Sequence, residues 1–173
     1  MATPSVLIVI DLQQGFVTDH SRHIVKPVEQ IQDKFNHVVL TRFYNPQGSP
    51  FREFIDYQKL SPGDAEGELA IEPGKNAEIM ERALYTCVNA ELLEYLEETG
   101  AKEAYICGIA TEACVLKTAL DLFEQNIRCW VITDLCASDE GNAYHELALT
   151  LLAKLIGQRH LISSEDALLQ IRK

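Results

Sequence analysis

Continuous apolar runs alternate along this chain with stretches of helical period. Residues 6–10 (VLIVI) form an unbroken, mostly β-branched run, the pattern of a central parallel strand covered on both faces. Residues 37–41 (HVVLT), 105–107 (YIC) and 128–133 (RCWVIT) read as further buried strands, with a short last strand at 159–162. The period of 77–82 (AEIMER) is ambiguous, and a strand is expected there because the flanking units need one. Helices are expected over 28–35 after Pro27, over 51–60, and over 90–98, where Asn89 caps and Gly100 closes. A further helix starts at Glu112, with Val115, Ala119 and Leu122 on one stripe. Another covers 142–156, with Leu147, Leu151 and Leu155 in register and a stop at Gly157. Ser163 caps the last one, with Asp166 at its third position as in a capping box. Strands alternating with helices predict an α/β fold: a doubly wound, mostly parallel sheet with helices on both faces, three-layered and Rossmann-like. No repeat, low-complexity tract or long linker divides the chain, so residues 1–173 are read as one domain.

The predicted strand ends carry the chemistry. Residues 105–123 run from a strand through Gly108-Ile109-Ala110-Thr111 into a helix, which puts Cys114 in the first turn of a helix at the carboxyl end of a strand. Unpaired backbone N–H groups and the positive end of the helix dipole favour a thiolate there, so Cys114 is the candidate nucleophile. Asp11 follows the first strand, where ligand crevices open in such sheets, although a turn-capping role would also account for it. Arg82 falls at the end of 77–82, near Tyr85 and Thr86. Together these three suggest a hydrolytic site: a sulfur attacks a carbonyl, an acid moves the proton, and a cation orders both. Phe16, Phe43, Asn45 and Tyr85 are the candidate pocket residues, though loop aromatics can equally pack a loop down.

Composition narrows the partners. The chain is 47% apolar and 24% charged with a formal net charge of -11, which argues against nucleic acid or anionic membrane and leaves a small-molecule substrate. No apolar run approaches the ~20 residues of a membrane span. Residues before the first strand lack a basic region and a cleavage site, so Met1 reads as the start of a cytoplasmic chain. The five cysteines include no C-x-x-C pair, and neither a disulfide framework nor a zinc site is expected. Asp19, His20 and His23 lie in a polar loop stretch without a fixed frame and read as solvated; no metal and no cofactor are assigned.

Residues 6–16 (VLIVIDLQQGF) and 107–138 (CGIATEACVLKTALDLFEQNIRCWVITDLCAS) resemble the isochorismatase-like cysteine hydrolases, which include nicotinamidases and carbamoylases. His145 with Leu147 and Ala148 is similar to that family's C-terminal helix. The resemblance spans nearly the whole chain. It implies an aspartate–lysine–cysteine triad, with the aspartate at Asp11 and the cysteine at Cys114. It also implies an oxyanion hole from the amides of Ala110 and Cys114, a cis peptide between Ile109 and Ala110, and a homo-oligomer. The chain departs from the family at the lysine of K-x-x-Y-[ST], where Arg82-Ala83-Leu84-Tyr85-Thr86 stands, and Lys75 is too early to replace it. Arginine keeps the charge but is bulkier and does not release a proton near neutral pH. Zinc-binding members carry Asp-x-His after the second strand, whereas Phe43-Tyr44-Asn45 has neither residue, which disfavours a metal-dependent nicotinamidase. The resulting expectation is a metal-independent cysteine hydrolase cleaving an amide or carbamoyl C–N bond. The alternatives are a non-catalytic binding or scaffold protein with this fold, and a vinyl-ether hydrolase that does not need Cys114.

Overall fold

The computed structural model describes residues 4–172. The reading of Met1 as the chain start lies outside the described residues. Six strands, β1 (Ser5–Ile10), β2 (His37–Phe43), β3 (Ala77–Arg82), β4 (Glu103–Ile109), β5 (Arg128–Ala137) and β6 (Leu161–Ile162), form one sheet in the order β3-β2-β1-β4-β5-β6. Every pairing is parallel. The helices that flank it are α1 (Val25–Ile31), α2 (Pro50–Ile55), α3 (Ala90–Glu98), α4 (Leu116–Glu124), α5 (Asn142–Leu152) and α6 (Ser164–Gln170). This is the doubly wound α/β architecture read from the sequence. The chain winds outward from β1 to β3, returns, and winds outward the other way from β4 to β6. The direction reverses between β1 and β4, the switch point at which such sheets leave a crevice beyond the strand ends.

β1 is central because its side chains can bear burial on both faces: Val6 to Ile10 are essentially without exposure. Each contributes up to about 1.5–3 kcal/mol relative to an exposed position, an upper bound set by the extended-chain reference. β4 lies against β1 with Ile10 opposite Gly108. A Cβ at Gly108 would stand 2.1 Å from the carbonyl oxygen of Ile10, and its φ of +118° is one that side chains avoid. Glycine at 108 lets the two strands that carry Asp11 and Cys114 close up.

Several elements differ from the sequence reading, each for a visible reason. α1 begins before Pro27, which sits in the first turn where no N–H bond is required. α2 stops at Ile55 because Asp56 turns left-handed (φ 54°) and the Tyr57 amide donates to the Phe51 carbonyl. β5 continues past Thr133 to Ala137 through a register irregularity opposite β4. α5 ends at Leu152 and widens into a π-type turn, Ala153–Gly157. Its buried side chains are Ala148, Leu152 and Ile156, whereas Leu147, Leu151 and Leu155 are 56%, 41% and 46% exposed. Two neighbouring apolar stripes share one period there, and periodicity alone does not choose between them.

Candidate active site

Asp11 follows β1 at a left-handed backbone position (φ 43°), a conformation that aspartate tolerates better than most side chains. It is fully buried. Thr41, on the neighbouring β2, donates through Oγ1 to Asp11 Oδ1 at 2.6 Å and accepts from the Asp11 amide at 3.1 Å. The other carboxylate oxygen, Oδ2, takes an ion pair from Nη2 of Arg82 at the end of β3. Arg82 is 5% exposed, and its guanidinium carbon lies 5.6 Å from the centre of the Phe43 ring. Burial alone would lower the Arg82 pKa; the Asp11 carboxylate and the Cys114 sulfur outweigh that and raise it, so the guanidinium stays charged. Its Nε and Nη1 are buried without hydrogen-bond partners.

Cys114 reaches the same place from β4. After Ile109 the peptide to Ala110 is cis, as the family resemblance implied. The chain then makes a wide π-type turn, Thr111–Val115, before α4 begins at Leu116. The Ala110 carbonyl accepts from the amides of both Ala113 and Val115, at 3.1 Å each. Wide turns of this kind concentrate at functional sites because they re-aim a side chain within a helix. Thr111 Oγ1 and His145 Nδ1 stand 2.8 Å apart, which ties the turn to α5.

The thiolate expected at Cys114 from its place in the turn needs correction. Cys114 is 8% exposed, and burial, followed by the Asp11 carboxylate, pushes its thiol up to about 12, with Arg82 pulling the other way. Burial and the Asp11 carboxylate thus favour the neutral thiol, against the pull of the turn. Arg82 is committed to Asp11, so little net positive charge is left for the sulfur.

Cys114 opens onto a cavity of about 210 Å³. Of the candidate pocket residues, Phe16, Phe43 and Tyr85 line it, as does Ala110. Phe43 and Phe51 meet edge to face with centroids 5.0 Å apart, and Phe51 meets Tyr85 likewise at 4.8 Å. Asn45 does not line the cavity. It is buried and donates to the carbonyls of Tyr57 and Lys59 while accepting from Ser49, so it braces the loop that carries Tyr57. Sequence reasoning missed Phe51, Ile55 and Tyr57 on α2 and the loop after it, Glu112 in the turn before α4, and Asp139 and Glu140 after β5. Asp139 and Glu140 follow the end of β5 at Ala137, whereas the sequence reading ended that strand at Thr133 and so gave them no strand-end position. His20 and His23 line a separate cleft with His145. Among the described residues no group of three or more His, Cys, Asp or Glu side chains is placed to hold a metal ion, and no helix is long and apolar enough to cross a membrane.

A profile of the isochorismatase domain matches residues 5–166. The nicotinamidase of Acinetobacter baylyi is 28% identical over 183 aligned positions, 82% of this chain and 85% of the relative. An uncharacterized isochorismatase family protein of Bacillus subtilis is 30% identical over 153 positions, 86% of this chain and 79% of its own length. The crystal structure of an isochorismatase-like hydrolase from Alkaliphilus metalliredigens has the same fold, with a TM-score of 0.84 at 18% identity over 96% of this chain and 98% of that one. A match that runs from β1 into α6 and takes in both the Asp11 and the Cys114 strand ends places the chain in the isochorismatase family of hydrolases.

Proposed function

We propose that the chain is a metal-independent cysteine hydrolase that cleaves the C–N bond of a small amide or carbamoyl compound through a thioester on Cys114. The observation that carries this reading is the convergence of Asp11, Arg82 and Cys114 at the switch point, with the cysteine opening onto a cavity. Because the resting thiol is protonated, its proton passes to the Asp11 carboxylate as the sulfur–carbon bond forms, and no free thiolate accumulates. The carbonyl π electrons become an oxyanion, held by the amides of Ala110 and Cys114. Collapse breaks the C–N bond, and the leaving nitrogen takes the proton from Asp11, freeing ammonia or an amine. Asp11 then removes a proton from water, the hydroxide adds to the thioester, and the departing sulfur recovers the proton. Arg82 neither gives nor takes a proton. It fixes one oxygen of Asp11 while Thr41 fixes the other, so the carboxylate is aimed before substrate arrives.

Hydrolysis of a panel of small carboxamides and ureides tests the assignment. Cys114→Ala should abolish turnover with folding intact, and Asp11→Asn should reduce kcat by about 10²–10⁴-fold. Turnover undiminished in Cys114→Ala would instead support vinyl-ether or other chemistry that bypasses the sulfur.

In this reading the whole chain, 1–173, works as one domain, supported by a single main core that draws on residues from Val6 to Ala167. Five free cysteines suit a reducing, cytoplasmic location. The exposed row of Leu147 and Leu151 on α5 and Leu155 in the π-type turn after it, with Tyr144 one turn earlier, supports a homo-oligomer that covers it. Light scattering should give more than one chain per particle, and the double variant Leu147→Lys, Leu151→Lys should give one; a wild-type monomer at micromolar concentration would contradict this assembly.

A further inference from the structure

Building on the amide-hydrolase reading, we infer that the cavity beside Cys114 selects amides bearing a cationic nitrogen group, which Glu112 and Asp139 hold among its aromatic side chains. At about 210 Å³ the cavity has room for roughly seven waters at ~30 Å³ each, enough for one substituted ring or a short chain. Five aromatic side chains, Phe16, Phe43, Phe51, Tyr57 and Tyr85, line it, and aromatic rings attract cations over their faces. The same lining carries three carboxylates, Glu112, Asp139 and Glu140. Glu112 lies two residues before Cys114 in the same turn; its Oε1 accepts from Ser138 Oγ at 2.7 Å, and its Oε2 is buried with no hydrogen-bond partner. Asp139 and Glu140 follow on the next strand end. Burial holds the Asp139 carboxyl above its usual range, and its neighbours Glu112 and Glu140 add to the rise.

Nothing in the cavity lining balances that charge. Arg82 is spent on Asp11. Lys59, the cation that acts on Asp139, is an exposed side chain. A cationic substituent would neutralise carboxylates already withdrawn from water, while a carboxylate substituent would meet like charge in a low-dielectric site. The cavity therefore opposes dianionic substrates of the isochorismate kind, whatever the chain does to amides.

Three probes share one ring and one carboxamide and differ only in charge: 4-(aminomethyl)benzamide, 4-(hydroxymethyl)benzamide and 4-carbamoylbenzoate. Calorimetric titration into the full-length Cys114→Ala protein reads recognition without bond cleavage. The cation should bind about tenfold or more tighter than the neutral probe, and the anion more weakly than either. Asp139→Asn and Glu112→Gln should each weaken the cation by about three- to tenfold and leave the neutral probe within about twofold. Asp139 is half-buried in a loop, so its variant reads the outcome even where Glu112→Gln disturbs the turn. Equal binding of the three probes, preference for the anion, or variants that weaken all three alike would overturn the inference. Charge-selective binding without hydrolysis by the wild type would sink the amidase reading and leave this one standing. Hydrolysis of the neutral amide with no charge preference would do the reverse.

Discussion

At the scale of single residues, the departure from lysine at position 82 matters most. Arg82 and Asp11 form a buried ion pair, and Thr41 completes the carboxylate. Removing the cation leaves a carboxylate in the interior with no counter-charge, which is far costlier than the pair's own net contribution. Arg82→Met should therefore destabilise the fold by about 3–5 kcal/mol in urea titration and abolish turnover. Arg82→Lys restores the family's residue and keeps the charge, so it should stay within about 2 kcal/mol of the wild type and retain activity. A stable Arg82→Met would mean that Asp11 is not held as a charged group. Asp11, Arg82 and Cys114 were all legible in the sequence because each ends a strand or opens a helix, where backbone geometry leaves side chains facing the crevice. The protonation state of Cys114 was not legible. It depends on how much of the sulfur is covered and on how fully Arg82 is engaged elsewhere, and neither follows from position in a helix.

At the scale of elements, the site depends on how closely β1 and β4 approach at Gly108 and on the wide turn that follows. Gly108→Ala places a methyl against the Ile10 backbone at a positive φ, and no side-chain movement relieves a backbone clash. The loss should be at least ~2–3 kcal/mol in thermal or urea denaturation; a Gly108→Ala protein as stable as the wild type would contradict this account of the strand contact. The bounds of α3 were legible because cap, period and closing glycine agree there, and β3 was legible only through the alternation around it. The helical register of 111–115 was missed because a π-type turn carries no period of its own. α5 shows the opposite failure, with too much signal: two apolar stripes, one facing the core and one facing outward. The early stop of α2 rests on a single left-handed residue, Asp56, and it frees Tyr57 to reach the cavity.

At the scale of the whole molecule, burial of all five thiols ties stability to pH. Burial pushes Cys87 up to about 11 and Cys114 and Cys136 up to about 12, and raises Cys107 and Cys129 as well. A group whose folded pKa lies above its unfolded value near 9 contributes stability that is complete below pH 9. Above pH 9 the unfolded chain releases those protons while the folded chain keeps them, so stability falls as pH rises toward 11. Tm measured from about pH 8 to 11 should drop, and replacing Cys107 and Cys129 by Ala should flatten the drop; a Tm constant over that range would show that the thiols are not held neutral. The doubly wound architecture was legible from alternating strand and helix patterns because the period of a buried strand survives without knowledge of its partners. The charge of the cavity was not, because Glu112 and Asp139 lie 27 positions apart and only the fold brings them to one lining.

A covalent bond to the Cys114 sulfur is the step on which the proposed hydrolysis turns. Mass spectrometry of the acid-quenched protein, taken during turnover of the fastest carboxamide in the panel, reads it directly. An acyl increment confined to the peptide that contains Cys114, and absent in Cys114→Ala, is the expected result. Steady turnover with that peptide unmodified, and with Cys114→Ala equally active, would contradict it.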